Sequence, residues 1–406
     1  MQRHYGMDWL RIGAFALLIL YHIGMVFVPW GFHVKTAQPA VWVEIPMLFT
    51  NPWRLTLLFV VSGFASRALL AKSPGPARFL GSRSARLLIP LAFGMAVIVP
   101  PQTWVELVGK HGYRHGFTWF WLHDYFRFGT LSGIVMPTWN HLWFVAYLWV
   151  YTLALCFLAL IPGANRLQSA FDRLFGGTRG LWLPLAFLFV TQFWLFHREE
   201  DTHDLFGDAL AHLQYFPALL FGFGLAGSRA VMAGLSRHWQ LSAAIALACY
   251  AMIAGLLVAY PDFSFPTHDI TTVFRLAREI DTWAAIAALI GAANRFLDRD
   301  HAWRSTLAEA TFPFYIIHQT VIVLVEYWLL PHHLVAPAEF TLLLPATIAG
   351  CWAFYLIGRR IDRLRPLIGL KRRAAAATAP FDDRKTSLDA GDPPWRQSDR
   401  AQPDLA

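Results

Sequence analysis

The sequence predicts an all-α membrane protein with about ten transmembrane helices, and three observations support this class. Hydrophobic residues make up 56% of the 406 residues, whereas charged residues make up only 15%. A soluble domain of this length carries more charge on its surface. Apolar runs of the roughly 20 residues that cross a bilayer as a helix recur along the whole chain. Lys and Arg are concentrated in alternate loops between these runs.

Ten apolar segments have the length of a bilayer-crossing helix. In chain order, the predicted spans cover residues 8–29, 53–71, 87–105, 141–161, 181–197, 208–227, 239–260, 279–293, 308–330 and 341–358. They show no repeat of fixed period. They also lack the inverted pair of broken helices that is typical of many secondary transporters.

The distribution of positive charge predicts the orientation, because Lys and Arg near span ends are retained on the cytoplasmic side. One set of alternate loops is rich in cations and includes residues 72–86, 295–304 and the stretch that follows the last span. The opposite set includes an acidic stretch at 197–204 and a stretch at 331–340 without Lys or Arg. Both termini are therefore predicted to be cytoplasmic. The net charge of +8 indicates contact with membrane lipids, and no nucleic-acid partner is expected.

Two regions are predicted along the chain. Residues 1–360 form a transmembrane domain, and residues 361–406 form a tail that begins as a basic stretch. Beyond about residue 373 the tail has too little apolar content to fold, so a disordered cytoplasmic segment is expected. The outer segment 106–139 is dense in aromatic residues but too interrupted for a span. We expect a helix that lies on the outer surface, either as an interfacial aromatic belt or as a substrate-binding element.

The first predicted span carries Arg11 and His22, which are costly inside a membrane and usually face a functional cavity. Eleven positions at about 100° each return His22 to nearly the same helix face as Arg11, roughly 16 Å further along the axis. Arg11 is predicted near the inner surface, where Asp8 is close enough to pair with it, and His22 beyond the midplane. Alternatively, Arg11 extends to the interface and His22 is a hydrogen-bonded core histidine.

Five motifs in order resemble those of the acyltransferase-3 family of membrane proteins. This family includes O-acetyltransferases of bacterial surface polysaccharides and succinyl transferases of periplasmic glucans. The first motif is the Arg that ends "MDWLR" and a His that follows it with ten residues between them. The others are "PWRLTLLFVVSGF" at 52–64, the basic loop "RFLGSRSARLLIP" at 78–90, "NHLWFVAYLW" at 140–149 and "FPFYIIHQTVIV" at 312–323. Each motif is weak alone, but five in the family's order are specific, and the likeness covers residues 5–360.

The resemblance implies an O-acyltransferase in the inner membrane of a bacterium. It would move an acetyl or succinyl group from cytoplasmic acetyl-CoA or succinyl-CoA to a hydroxyl of an extracytoplasmic glycan or glucan. His22 and Arg11 are the implied catalytic residues. His22 would act as a general base, since an imidazole has an ordinary pKa of about 6.5; a covalent acyl-histidine is an open alternative.

Arg83 and Arg86 are the implied acyl-CoA-binding residues, together with Arg11. Their spacing of three positions can present two planar guanidinium groups to the phosphates of the coenzyme, and Arg11 is predicted at the same depth. We expect no permanently bound cofactor and no metal, because the histidines do not have the spacing of a zinc site.

Four further candidates for lining the cavity or contacting the acceptor lie in the fourth and ninth predicted spans. His141 opens the fourth span from the outer side and is equally compatible with a structural role. His318 falls midway through the ninth span, where a polar partner at the depth of His22 is plausible. Trp143 and Tyr315 could shape a tunnel, although aromatic residues in such spans more often serve packing.

Two candidates lie in the second span. Ser62 could allow close approach of a ligand to the backbone, but its neighbour Gly63 favours helix packing. Arg54 is near the outer end of the span and is a hypothetical partner for the free carboxylate of a succinyl group.

A multi-span transporter or permease, for a small polar solute or an acyl-carrying glycan, is the alternative function. A transporter would also have buried Arg and His. However, it gives the basic R-x-x-R pair, Arg83 and Arg86, no specific role. A non-catalytic partner or sensor is a third class. Release of coenzyme A in the presence of a glycan distinguishes the acyltransferase from both.

Overall fold

A computed structural model describes residues 4–191 and 204–373. The chain up to Lys371 forms one compact unit. Two predicted features lie outside the described residues, namely the end of the fifth span with most of the acidic stretch that follows it, and the disordered tail beyond residue 373.

Helices lie over all ten predicted spans, which confirms the all-α polytopic class. Their bounds are α1 Tyr5–Gly24, α3 Arg54–Ala71, α4 Pro76–Phe93 continued by α5 Pro100–His111, α7 Trp143–Leu160, α9 Arg179–Val190, α10 Ala209–Leu225, α11 Arg229–Ala259, α12 His268–Phe296, α13 Ala302–Leu329 and α14 Ala336–Arg360. Within the described chain, seven helical stretches are long and apolar enough to cross a membrane, and α9 and α10 are shorter apolar helices.

Short elements join these helices. The short helices are α2 Glu44–Leu48, α6 Phe117–Trp119 and α8 Ala164–Phe175. Strands β1 Gly129–Leu131 and β2 Ile134–Met136 pair antiparallel. Single 3₁₀ turns lie at Val41–Val43, Asn140–Leu142, Pro261–Phe263, Leu330–His332 and Pro366–Ile368, and π turns lie at Gly94–Ile98 and Phe120–Asp124.

The prediction that residues 78–90 form a basic loop is wrong. Helix α4 already begins at Pro76, and a Pro in the first turn is favourable because its missing N–H is not needed there. Arg83 and Arg86 therefore project from a helix that continues through a π turn to His111. Ala, Arg and Leu are strong helix formers, and long basic side chains can extend to the interface. The cations therefore do not terminate the helix.

The outer segment 106–139 also differs from the single surface helix that we expected. Beyond His111 it contains a short helix with a π turn and then the β1–β2 hairpin. The buried Tyr125 anchors it, because its hydroxyl donates to the carbonyl oxygens of Met95 at 2.8 Å and Thr138 at 3.0 Å. Strands of three residues are too short to leave an alternating apolar pattern in the sequence, which is why the hairpin was not predicted.

Helices α3 and α10 pack with their backbones in contact through two glycines. A Cβ placed on Gly63 would lie 1.9 Å from the carbonyl oxygen of Leu219, and one on Gly222 would lie 1.8 Å from that of Val60. No side chain fits at such distances, so each position requires Gly, as at other close-packed membrane helix interfaces. The Gly of the "SGF" motif therefore serves helix packing.

Replacing Gly63 with Ala should destabilise the protein, because the added methyl group would overlap the carbonyl oxygen of Leu219. Overpacking of this kind costs roughly 1–3 kcal/mol, so the midpoint of thermal unfolding in detergent should fall by several degrees. Gly255→Ala is the matched control, since Gly255 is exposed on α11 and a Cβ there meets nothing within 4 Å. Equal midpoints for the two variants would contradict the close contact.

Candidate active site

Helix α1 directs both Arg11 and His22 towards α13. Nη2 of Arg11 donates to the carbonyl oxygen of Ala308 at 3.3 Å, and Nδ1 of His22 lies 3.0 Å from Nε2 of His318. Both side chains are half-buried. The two contacts occur in the same order along both helices, so α1 and α13 run parallel. The Arg and His lie on the protein-facing side of α1, at its inner and outer halves.

Three histidines from separate parts of the chain meet around His318, which is fully buried. Its Nδ1 lies 2.7 Å from the carbonyl oxygen of Tyr315. The ring of His141 lies 5.1 Å from that of His318 in an edge-to-face arrangement. Nε2 of His141 lies 3.0 Å from the carbonyl oxygen of Ile316, and the hydroxyl of Tyr315 donates to the carbonyl oxygen of His141. The cluster therefore joins α1, the turn before α7 and α13.

Arg54 lies next to this cluster at the outer end of α3. Its guanidinium carbon is 3.3 Å from the centre of the Tyr21 ring, a cation–π contact, and its charge acts on His22. The side chain is only 7% exposed. Its Nη1 donates weakly to the carbonyl oxygen of Asn51 at 3.4 Å, and its buried Nε has no hydrogen-bond partner. In the described part of the chain, no carboxylate pairs with this cation.

An outer loop, residues 25–40, covers His22, and sequence reasoning missed its two functional candidates. The Phe32 ring is stacked on the His22 ring with centroids 6.4 Å apart. His33 Nδ1 lies 2.6 Å from Oε2 of Glu106, and its Nε2 lies 2.9 Å from Nε2 of Gln319. Glu106 is 73 positions away from His33 in the sequence, so no local pattern could have indicated the pair.

The same loop is held in shape by Lys35. Its Nζ donates to the carbonyl oxygens of Met25 and Val28, both at 2.6 Å. Burial lowers the pKa of Lys35 to about 8, with a smaller contribution from the charge of Lys110. The Lys35 ammonium group therefore stabilises the loop by binding carbonyl oxygens of the loop itself.

Side-chain amides connect the first turn of α5 to the outer half of α13. Nε2 of Gln319 donates to Oε1 of Gln102 at 3.0 Å, and Nε2 of Gln102 donates to Oγ1 of Thr320 at 2.6 Å. Asn140 adds a donor to the same Gln102 oxygen at 3.3 Å. Asn140 has a φ of 42°, a left-handed conformation that Asn tolerates better than most residues. The network thus fixes the turn that carries His141.

Cationic side chains lie close to Arg83 in the inner half of the protein. Its Nη2 donates to Oγ of Ser66 at 3.4 Å, and its buried Nε has no hydrogen-bond partner. The charges of Arg86 and Arg11 both act unfavourably on it. Glu309 partly offsets the charge of Arg86. The result is a positive surface shared by α1 and α4, here called the inner cation cluster: Arg11, Arg83 and Arg86.

A layer of aromatic rings lies between the inner cation cluster and His22. Phe15 is on the same face of α1 as Arg11 and His22, and it is buried. Its ring centroid lies 5.5 Å from that of Tyr315 and 6.4 Å from that of Phe144. A chain that moves along this face of α1 must therefore displace the Phe15 ring.

The other two candidates lie in packed surroundings. Trp143 is buried against the rings of Phe59, Tyr147 and Tyr215, between α7, α3 and α10. The carbonyl oxygen of Ser62 accepts a hydrogen bond from Ser66 at 2.7 Å, next to the Gly-mediated contact with α10.

Comparison with known proteins identifies the family of the chain. The acyltransferase-3 family model, described as an acyltransferase domain, matches residues 4–356. Curated relatives include the glucans biosynthesis protein C of Escherichia coli O1:K1 and that of strain E24377A, each 28% identical over 169 residues. That alignment covers 42% of this chain and 42% of each relative's length. No solved structure matches the chain. The chain belongs to the acyltransferase-3 family and is a multi-pass membrane protein.

Proposed function

We propose that the protein transfers an acyl group from cytoplasmic acyl-CoA to a hydroxyl of an extracytoplasmic glycan, with His22 as general base, in a bacterial inner membrane. One observation carries this proposal: Arg11 and His22 face α13 from the inner and outer halves of a single helix. A donor made in the cytosol and an acceptor outside can then reach the same imidazole. The name of these relatives, glucans biosynthesis protein C, supports a glucan as the acceptor.

The inner cation cluster is suited to the phosphates of coenzyme A. Arg86 and Arg11 both repel Arg83, and a bound polyanion would relieve that repulsion. Guanidinium groups bind phosphate oxygens through paired N–H donors. Arg83 has an unpaired buried N–H in the described structure, which is available for such a bond.

The thioester arm of the donor must pass the aromatic layer to reach His22. The pantetheine chain is thin and flexible, so rotation of the Phe15 ring is the smallest movement that admits it. Exclusion of water by the same rings would protect the thioester from hydrolysis.

The transfer requires one proton to move twice. His22 accepts the hydroxyl proton while the acceptor oxygen attacks the thioester carbonyl carbon. The C–S bond then breaks, and the thiolate takes the proton from the imidazole. An acyl-histidine route uses the same ring as nucleophile and gives the same products.

Arg54 favours a succinyl donor over an acetyl donor. A buried cation without a carboxylate is costly, and the Tyr21 ring offsets only part of that cost. The free carboxylate of a succinyl group would complete a charge-assisted pair beside the ring that performs the transfer. An acetyl group offers no such partner.

Removal of the His22 imidazole should stop the reaction, because the hydroxyl would lose its proton acceptor. Proteoliposomes with labelled succinyl-CoA inside and glucan oligosaccharides outside should release coenzyme A, and His22→Ala should slow that release by at least ~100-fold. His332→Gln, an exposed residue of the outer 3₁₀ turn, is the control and should match the wild type. Solute uptake without consumption of donor would support a transporter instead.

Arg83→Gln should weaken donor binding while leaving the chemistry intact. Loss of a charged hydrogen bond costs about 1.5–3 kcal/mol, so the KM for acyl-CoA should rise roughly tenfold or more, with little change in kcat. Arg127→Gln on the outer surface is the matched control, because its side chain is 73% exposed. An unchanged KM in Arg83→Gln would exclude this residue from the donor site.

Arg54→Gln should change which acyl group is transferred. The ratio of succinyl to acetyl transfer should fall roughly tenfold, because the carboxylate loses its charged partner. Arg54→Lys keeps the charge without the planar donor pair, and it should fall between the wild type and Arg54→Gln. An unchanged ratio in both variants would remove the assignment of Arg54 to the acyl carboxylate.

A further inference from the structure

The protonation pattern of His318 is fixed by the backbone of its own helix. Its Nδ1 lies 2.7 Å from the carbonyl oxygen of Tyr315 and 3.2 Å from that of Phe314. Carbonyl oxygens only accept hydrogen bonds, so Nδ1 carries the proton. A buried imidazole without a paired anion is stable in its neutral form. In neutral His318, Nε2 is therefore a hydrogen-bond acceptor.

This pattern determines the tautomer of His22. Nε2 of His318 lies 3.0 Å from Nδ1 of His22, and because Nε2 accepts, Nδ1 of His22 must donate. The tautomer of a histidine is set by the hydrogen bond that its other nitrogen makes. The lone pair of neutral His22 is therefore on Nε2, the ring nitrogen that does not contact His318.

His141 is held in the same way by the same run of carbonyl groups. Its Nε2 lies 3.0 Å from the carbonyl oxygen of Ile316 and therefore donates to it. Its Nδ1 is buried and has no hydrogen-bond partner. The carbonyl groups of residues 314–316 thus orient two of the three histidines directly and His22 through His318.

We propose that His318 is a positioning residue, which holds the proton of His22 on Nδ1 so that Nε2 of His22 is the base in acyl transfer. This inference rests on the proposed function of His22. During transfer, Nε2 of His22 takes the acceptor's hydroxyl proton as the C–O bond forms, and returns it to the thiolate sulfur as the C–S bond breaks. The Nδ1–H of His22 keeps its bond to His318, so His318 neither gains nor loses a proton.

Two substitutions of His318 separate this role from a packing role. The amide oxygen of His318→Gln can reach the position of Nε2 and accept from His22, whereas His318→Asn is too short and can replace only the Nδ1 donor. His318→Asn should lower kcat roughly 100-fold, the upper range for loss of an orienting hydrogen bond. The KM for succinyl-CoA should stay within about twofold, because the interaction acts on the chemical step.

His318→Gln should recover most of the rate, to within about tenfold of the wild type. His332→Gln again serves as the control for an unrelated His-to-Gln change. Wild-type kcat in a folded His318→Asn variant would overturn the inference, and so would equal losses in His318→Asn and His318→Gln. If His318→Asn does not fold, His318→Met replaces it, because Met has nearly the shape of Gln but lacks its strong acceptor.

The same measurements distinguish this inference from the proposed function. If His22→Ala releases coenzyme A at the wild-type rate, the proposed function itself is wrong. If His22→Ala is inactive while His318→Asn is fully active, His22 remains the base and only the orienting role of His318 is rejected.

Discussion

The polar pairing of α1 with α13 is the constraint on which the rest of the site depends. A bilayer offers no water to an unpaired polar group, so each such group must find a partner inside the protein. At the inner end, Asp8 Oδ2 accepts from Arg304 at 2.9 Å; at the outer end, His22 meets His318. Contacts at two depths fix both the rotation and the axial register of α1, and so aim the imidazole into the protein.

Because of this pairing, the site is arranged in successive layers along the membrane normal. Cations lie at the inner level, an aromatic layer around Phe15 follows, and the histidine cluster and Arg54 lie beyond it. Amides and the 25–40 loop close the outer side. Each layer suits one part of the proposed reaction: phosphate binding, exclusion of water, proton transfer and acceptor access. The layers work together because a single rigid pair of helices carries residues of the first three.

Features that depend on a single helix can be predicted from regular patterns in the sequence. The length of apolar runs located the spans, and the helical repeat placed Arg11 and His22 on one face. Contacts between helices left no such signal, because tertiary packing decides them. Asp8 and Arg304 are 296 positions apart, and His33 of the outer loop contacts Glu106 of α5, 73 positions away. The positive charge of residues 78–90 predicts a loop, whereas the strong helix formers among them favour the helix that the structure shows.

A neutral orienting residue suits this site better than the carboxylate that orients histidine in many hydrolases. A buried carboxylate beside His22 would need a cation to offset its desolvation, and Arg54 is the cation whose charge acts on that ring. Pairing the two would leave Arg54 unable to bind the carboxylate of an incoming acyl group. His318 supplies the acceptor that the imidazole needs without a charge, because the carbonyl group of Tyr315 already holds its proton. In the proposed reaction, the orientation of the base and the recognition of the acyl group thereby use separate partners.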